Sequence, residues 1–252
     1  MLKKQILVTG DRPTGSLHLG HYVGTLENRL KLQDDFNCFF LIADLHMLTT
    51  HNDKVGELKQ NIQSLVLDWL AVGLDPNKSN FYLQSLIPEI SELTLLLSMI
   101  CSVPRVQRIP TLKEKASMLN DQENYSVGLL SYPVLMSSDI LIFNASKVPV
   151  GEDQLSHVEL ARELSRRFNS MYQELIVEPE PLISEFSRLI GTEITSIPTE
   201  YGGTRYIEKF NTSWDFMKKS IASMEEISVC VKEYKKRDII IFSAIWTPQS
   251  TY

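Results

Sequence analysis

The chain has 252 residues, 43% of them hydrophobic and 22% charged, which is enough apolar material for one large domain, or one domain with a small appendage, and excludes disorder as the default. Lys and Arg number 25 against 31 acidic residues, for a net charge of -6, so no general basic surface is available for a polyanion and any contact with nucleic acid has to be local. Cys38, Cys101 and Cys230 form neither a CxxC pair nor a disulfide framework, and are expected to be buried thiols in a reducing compartment.

From the N-terminus, the apolar run before Gly10 and Asp11 is too short for a signal peptide. No later segment reaches the roughly 18 apolar residues of a bilayer span, so a cytoplasmic protein is expected. Gln5 to Thr9 and Asn37 to Ala43 are short β-rich runs of the kind buried in parallel sheets. Between them Leu19, Val23, Leu26 and Leu30 recur at helical spacing, completing a β-α-β unit. Val55, Leu58, Ile62, Leu65, Trp69 and Val72 mark a second helix, followed by the strand-like Phe81 to Leu83. Ile87 to Met99 and Ser126 to Asp139 are expected to be helical material broken by Pro104, Pro110 and Pro133, with Asp139 to Phe143 either a strand or a helix end. Leu155, Val158, Ala161, Leu164 and Phe168 define another helix, with Glu152 and Asp153 in its first turn. Strands alternating with helices imply an α/β fold with a doubly wound parallel sheet. After about Thr192 the alternation is no longer visible, so residues 1–192 are expected to form the main domain and 193–252 a divergent tail.

The strongest local signal is Gly10-Asp11-Arg12-Pro13-Thr14-Gly15-Ser16-Leu17-His18-Leu19-Gly20-His21, between the first strand and the first helix. Open α/β sheets bind ligands at the carboxyl ends of their strands, where helix N-termini aim N–H groups at anions, so a phosphate chain fits this position. Gly20 and Gly24 share a helix face that would let a backbone or an adenine approach. His18 and His21, three apart, can both donate to phosphate oxygens. Either histidine alone would pass for an ordinary surface residue. Together, after a strand and a glycine-rich turn, they suggest nucleotide chemistry.

His18-Leu19-Gly20-His21 resembles the HIGH signature of class I aminoacyl-tRNA synthetases, although nucleotidylyltransferases share a similar H-x-G-H. Val148-Pro149-Val150-Gly151-Glu152-Asp153-Gln154, then His157-Val158-Glu159-Leu160-Ala161-Arg162-Glu163 and Arg167-Phe168-Asn169, are closely similar to a segment of the bacterial tryptophan enzymes of that family. Ile42 to His46, Gly73 to Pro76, Gln84-Ser85, Lys113 to Lys115 and Gly128 to Leu141 match in the same order, so the resemblance runs from about Ile6 to Thr192. It implies a Rossmann-like catalytic domain, tryptophan, ATP and tRNA(Trp) as substrates, Mg²⁺ accompanying ATP with no dedicated metal site, and a homodimer. It also implies that Asp139 accepts the indole N–H while Tyr132 and Met136 wall the ring, which suits a donor-only indole. By the same resemblance His46 and Gln154 lie near the amino acid's amine and carboxylate. Gly151, Glu152 and Asp153 approach the ATP ribose or adenine, and Arg12, Thr14, Gly20 and His21 also contact ATP. His18, His21 and Lys115 are the implied catalytic set, with Arg12 as a fork and Lys115 as a point charge on phosphate.

The family's lysine-rich KMSKS loop, expected shortly after Leu189 to Thr192, has no match there. Glu193-Ile194-Thr195-Ser196 takes its place, and Phe216-Met217-Lys218-Lys219-Ser220 is late and lacks the pattern. A frameshifted, truncated or fused coding sequence would produce such a break, and the expected consequence is a chain that binds tryptophan but activates it poorly.

Overall fold

The structure, a computed structural model, describes residues 4–118, 125–172 and 174–183. The expected tail over 193–252, the boundary at Thr192 and Cys230 all lie outside the described residues.

Ile6–Asp11 (β1), Asn37–Ile42 (β2), Ser79–Leu83 (β3), Lys147–Val150 (β4) and Glu180–Ile183 (β5) form one parallel sheet in the order β3-β2-β1-β4-β5. The chain therefore builds outward from β1 to β2 and β3, then returns to the other side of β1 for β4 and β5. That reversal leaves a crevice at the carboxyl ends of β1 and β4, the usual ligand position of a doubly wound sheet. Gly10 in β1 is required by contact: a Cβ there would lie 2.3 Å from the Leu41 carbonyl oxygen on β2.

Successive residues of β1 serve opposite faces of the sheet. Leu7 joins the core formed with Leu65 and Trp69, whereas Val8 joins the core formed with Leu97, Leu141 and Leu164. The first core is covered by Val55–Val72 (α4), whose apolar residues recur every three or four positions. This helix ends at Gly73, where φ of 100° places the backbone in the left-handed region suited to glycine. Pro88–Ile100 (α5), Val127–Leu141 (α8) and Leu155–Met171 (α9) cover the second.

The first helix is less regular than its periodicity suggested. Leu19–His21 (α1) widens into a π turn over Tyr22–Leu26, where the Glu27 N–H donates to the Tyr22 carbonyl, before Glu27–Asp35 (α2) resumes normal winding. Asp44–Leu48 (α3), Val103–Gln107 (α6), Pro110–Met118 (α7), β4 and β5 complete the set.

Three expectations need correction. Pro133 does not break its helix: it lies inside α8, whose start is capped by Ser126 accepting from the Leu129 N–H at 3.1 Å, and the Ser137 hydroxyl donates to the Pro133 carbonyl at 2.9 Å. Pro104 and Pro110, by contrast, do mark breaks in the helical material, standing in the first turns of α6 and α7, where a missing N–H costs little. Glu152 and Asp153 occupy a short 3-10 turn, Glu152–Gln154, before α9 rather than its first turn. Asp139 to Phe143 is a helix end, and Cys101 is only partly buried whereas Cys38 is fully buried.

Candidate active site

The loop after β1 is tied down at both ends by buried polar contacts. Asp11 accepts two bonds from the Arg29 guanidinium, at 2.6 and 2.9 Å, and one from the Trp69 indole N–H at 3.0 Å. At the other end Asp68 accepts from the Leu17 N–H at 2.9 Å. Burial raises the Asp11 pKa, but Arg29 and the indole outweigh it, and the net shift is downward. The loop thus reaches the cleft on a fixed base.

A cleft of about 750 Å³ opens at the carboxyl ends of β1 and β4. It brings together Arg12, Thr14, His21, His46, Lys115, Tyr132, Met136, Asp139, Gly151, Asp153 and Gln154. His18, Gly20 and Glu152 do not line it. The His18 ring instead lies 4.1 Å from that of His21, and a Cβ on Gly20 would meet the His18 ring at 2.9 Å, so the small residue leaves room for the histidine. Gly24 has nothing within 4 Å of a Cβ and is also outside the lining.

The two histidines are oriented by backbone donors. The Gly20 N–H donates to His18 Nδ1 at 3.1 Å, and the His18 N–H to His21 Nδ1 at 3.3 Å. With Nδ1 accepting, each neutral ring carries its proton on Nε2 and keeps a donor for a ligand. Burial, followed by the neighbouring His18, lowers the His21 pKa.

At the inner end of the cleft Asp139 is buried at 2% exposure. His46 Nε2 lies 2.9 Å from its Oδ2, and the Gln84 amide donates to both carboxylate oxygens at 2.8 and 3.0 Å. Gln84 is itself oriented because its Oε1 accepts from the His46 N–H at 3.3 Å. Burial raises the Asp139 pKa above the ordinary carboxylate range, with His46 and Gln84 acting against it. Gln84 was matched in sequence but given no role. Its position just past the carboxyl end of β3 was the available signal.

Two turns before Asp139 on α8, Tyr132 also lines the cleft, and Lys115 Nζ sits 3.8 Å from its ring centroid. Burial and the nearby Arg12 lower the lysine to about 8. The Tyr132 hydroxyl, Thr111 Oγ1 and His157 Nε2 form a triangle with sides of 2.6, 2.7 and 3.2 Å. Neither Thr111 nor His157 had been singled out as a site residue. Arg12 and Lys115 make no ion pair among the described residues, so their charge faces whatever enters the cleft. Gln154 donates to Asp153 beside them. The cleft offers a buried acceptor, Asp139, two cations, Arg12 and Lys115, and one imidazole, His21, whose Nδ1 is oriented by a backbone N–H.

The model of the class I tRNA synthetases (W and Y) matches residues 2–193. A tryptophan–tRNA ligase of Chlamydia caviae is 52% identical over 198 residues, covering 77% of this chain and 57% of that protein. One from Thermotoga maritima is 49% identical over 203 residues, 80% of this chain and 62% of that protein. The crystal structure of tryptophanyl-tRNA synthetase from Campylobacter jejuni complexed with ADP and tryptophan superposes with a TM-score of 0.67 at 37% identity, over 72% of this chain and 56% of that one. The chain thus spans less than two thirds of the length of these relatives.

Proposed function

The chain belongs to the class I tRNA synthetases of the W and Y group, and on that premise we propose that it activates L-tryptophan with ATP and passes the amino acid to tRNA(Trp). In the first step a tryptophan carboxylate oxygen attacks the α-phosphorus of ATP, the bond to pyrophosphate breaks, and tryptophanyl-adenylate forms. A tRNA ribose hydroxyl then attacks the acyl carbon, and AMP leaves. Mg²⁺ enters as part of the ATP substrate.

The observation that carries the choice of tryptophan is Asp139, a buried carboxylate aimed by His46 and Gln84 at the inner end of the cleft. It accepts the indole N–H, with Tyr132 and Met136 against the ring. His46 and Gln154 serve the amino acid's polar end, and Gly151 and Asp153 the nucleoside. Arg12, Lys115, Thr14 and the Nε2 donors of His18 and His21 stabilise phosphate charge as it redistributes. Glu152 supports the turn that presents Gly151 and Asp153. The test is exchange of labelled pyrophosphate into ATP. Tryptophan-dependent exchange, not replaced by tyrosine, is expected, and exchange independent of any amino acid would instead indicate a nucleotidylyltransferase.

A finer reading concerns rate. Glu193 to Ser196 supplies no lysine where the family carries KMSKS, so tryptophan binds well but turnover is slow, because ground-state binding and pyrophosphate stabilisation depend on different groups. Each missing charge-assisted contact costs about one to two decades in rate. Replacing residues from 193 onward with a KMSKS-bearing segment of a relative should raise the exchange rate at similar tryptophan affinity.

A homodimer is supported by Leu95 and Met99, one turn apart on α5, and Val103 at the start of α6, which are 62, 70 and 53% exposed. Met99→Lys should shift the mass in solution towards the monomer. No described helix is long and apolar enough to cross a membrane, which is compatible with work in the cytoplasm.

A further inference from the structure

Tyr132 on α8 is held from α7 at two points. Thr111 and Lys115 are four residues apart, so they project from one side of α7. Thr111 meets the Tyr132 hydroxyl at 2.6 Å, and Lys115 covers the ring at 3.8 Å. His157, from α9, closes the third corner through Nε2, 2.7 Å from Thr111 and 3.2 Å from Tyr132. His157 is 1% exposed, and its Nδ1 has no hydrogen-bond partner among the described residues. A buried nitrogen without a partner is a cost that a leucine of similar volume would avoid. What the histidine adds over packing is the Nε2 contact.

We infer that His157 is a positioning residue: through Thr111 it anchors the start of α7 to Tyr132 and thereby holds Lys115 at the cleft, where Lys115 meets phosphate. The inference rests on the proposed phosphate role of Lys115, and it extends the functional unit to a residue directly behind the cleft lining. Burial, followed by the charge of Lys115, brings His157 down to about 4. It therefore remains neutral and does not repel the lysine it positions.

The experiment has two arms, both on the full chain. In the first, MgATP affinity is measured by calorimetry. Lys115→Ala should weaken it ~10-fold or more, the low end for a charge-assisted contact. His157→Leu and Thr111→Val should each weaken it ~3- to 10-fold, and His157→Gln, whose amide nitrogen reaches the Nε2 position, should restore it to within ~2-fold. In the Lys115→Ala background His157→Leu should add nothing, because both changes remove one interaction. Additive losses would overturn the proposal, as would failure of glutamine to rescue. If Lys115→Ala leaves affinity unchanged, the phosphate role and the inference resting on it both fall.

In the second arm an amine-reactive reagent labels the lysines for mass spectrometry. Lys115 should label faster in His157→Leu and Thr111→Val while the exposed Lys113 does not change. An unchanged Lys115 rate refutes the clamp whatever happens to ATP. If His157→Leu does not fold, the near-isosteric Thr111→Val carries the same expectations in both arms.

Discussion

Asp139→Asn separates the binding role of the carboxylate from its role in the fold. In the native cleft two donors, His46 Nε2 and the Gln84 amide, converge on the Asp139 oxygens at 2.8 to 3.0 Å. Asparagine keeps the shape but turns one oxygen into a donor and removes the charge that an indole N–H would meet. Losing one charge-assisted hydrogen bond costs about 1.5 to 3 kcal/mol, so tryptophan should bind roughly one to two decades more weakly. Stability should respond differently. Burial raises the Asp139 pKa, which means that the unliganded fold bears a desolvation cost for the ionised form, and the neutral amide relieves it. That gain offsets the disturbed contact with His46 or Gln84, so the melting temperature should move by no more than about 4 °C, the equivalent of ~1 kcal/mol in a domain of this size. Calorimetric titration with tryptophan, MgATP and a tryptophan analogue whose ring lacks N–H gives the comparison. The variant should lose most of the preference for tryptophan over the analogue and keep MgATP affinity within ~3-fold, since an unpaired polar group is what penalises the analogue. Unchanged tryptophan affinity, or parallel losses for tryptophan and MgATP, would refute the indole-acceptor role.

His18→Ala and His21→Ala should each slow pyrophosphate exchange by at least ~10-fold while tryptophan affinity stays within ~3-fold, as expected for donors used in the transition state. Wild-type rates in both would make the pair structural. Gly10→Ala sets a Cβ 2.3 Å from the Leu41 carbonyl oxygen; a loss of about 3 kcal/mol in urea unfolding is expected, and an unshifted midpoint would contradict the close approach of β1 and β2. The folded protein holds His157 at about 4 against an ordinary 6.5, chiefly through burial. Its contribution to stability is therefore complete above pH 6.5 and lost as pH falls toward 4, amounting to about 3 kcal/mol. Between those pH values His157→Gln should lose stability less steeply than wild type, and equal slopes would argue against a buried neutral imidazole.

Elements that bury one periodic face were legible in the sequence. Ile62, Leu65 and Trp69 are buried on α4, as the three- and four-residue spacing required, whereas Val55 at the start of the stripe is exposed and the buried Val66 lay outside it. β4 and β5 were not predicted as strands because neither run carries the signal. Lys147-Val148-Pro149-Val150 and Glu180-Pro181-Leu182-Ile183 each include a proline, and their extended backbone is stabilised by pairing with each other and with β1. Pro133 misled for the opposite reason. A proline costs a helix one N–H and a clash with the preceding turn, and α8 continues through it because Leu129, Tyr132, Val134, Ile140 and Leu141 are buried on both sides of Pro133. The π turn was invisible because apolar spacing does not report it, yet its extra residue turns the helix after it, so that Arg29 and Gln33 are buried on α2 and Leu30 only partly.

The candidate site divides along a similar line. Residue types that suit a chemical task, such as a carboxylate for a donor-only ring or cations for phosphate, can be named from motifs. The contacts that aim them cannot, since aiming is a relation between distant segments. Gln84 and His46 converge on Asp139 from 55 and 93 residues away, and His157 reaches Thr111 across 46. Each of these polar groups is buried, and a buried polar group needs a partner in any fold, whatever the protein does. Burial alone therefore cannot separate a structural pair from a functional one. The distinguishing feature is the bonding capacity left over at the cleft once internal partners are counted. Arg12 and Lys115 have no ion-pair partner among the described residues, and the oriented imidazole of His21 keeps a donor. Whereas the more deeply buried Asp139 has a raised pKa, Asp11 also borders the cleft but accepts three bonds from Arg29 and Trp69, which hold its pKa down. Its carboxylate is committed to holding the loop. A tryptophan analogue lacking N–H should therefore discriminate between variants of Asp139 and not between variants of Asp11, whose loss would act through the loop on every ligand alike.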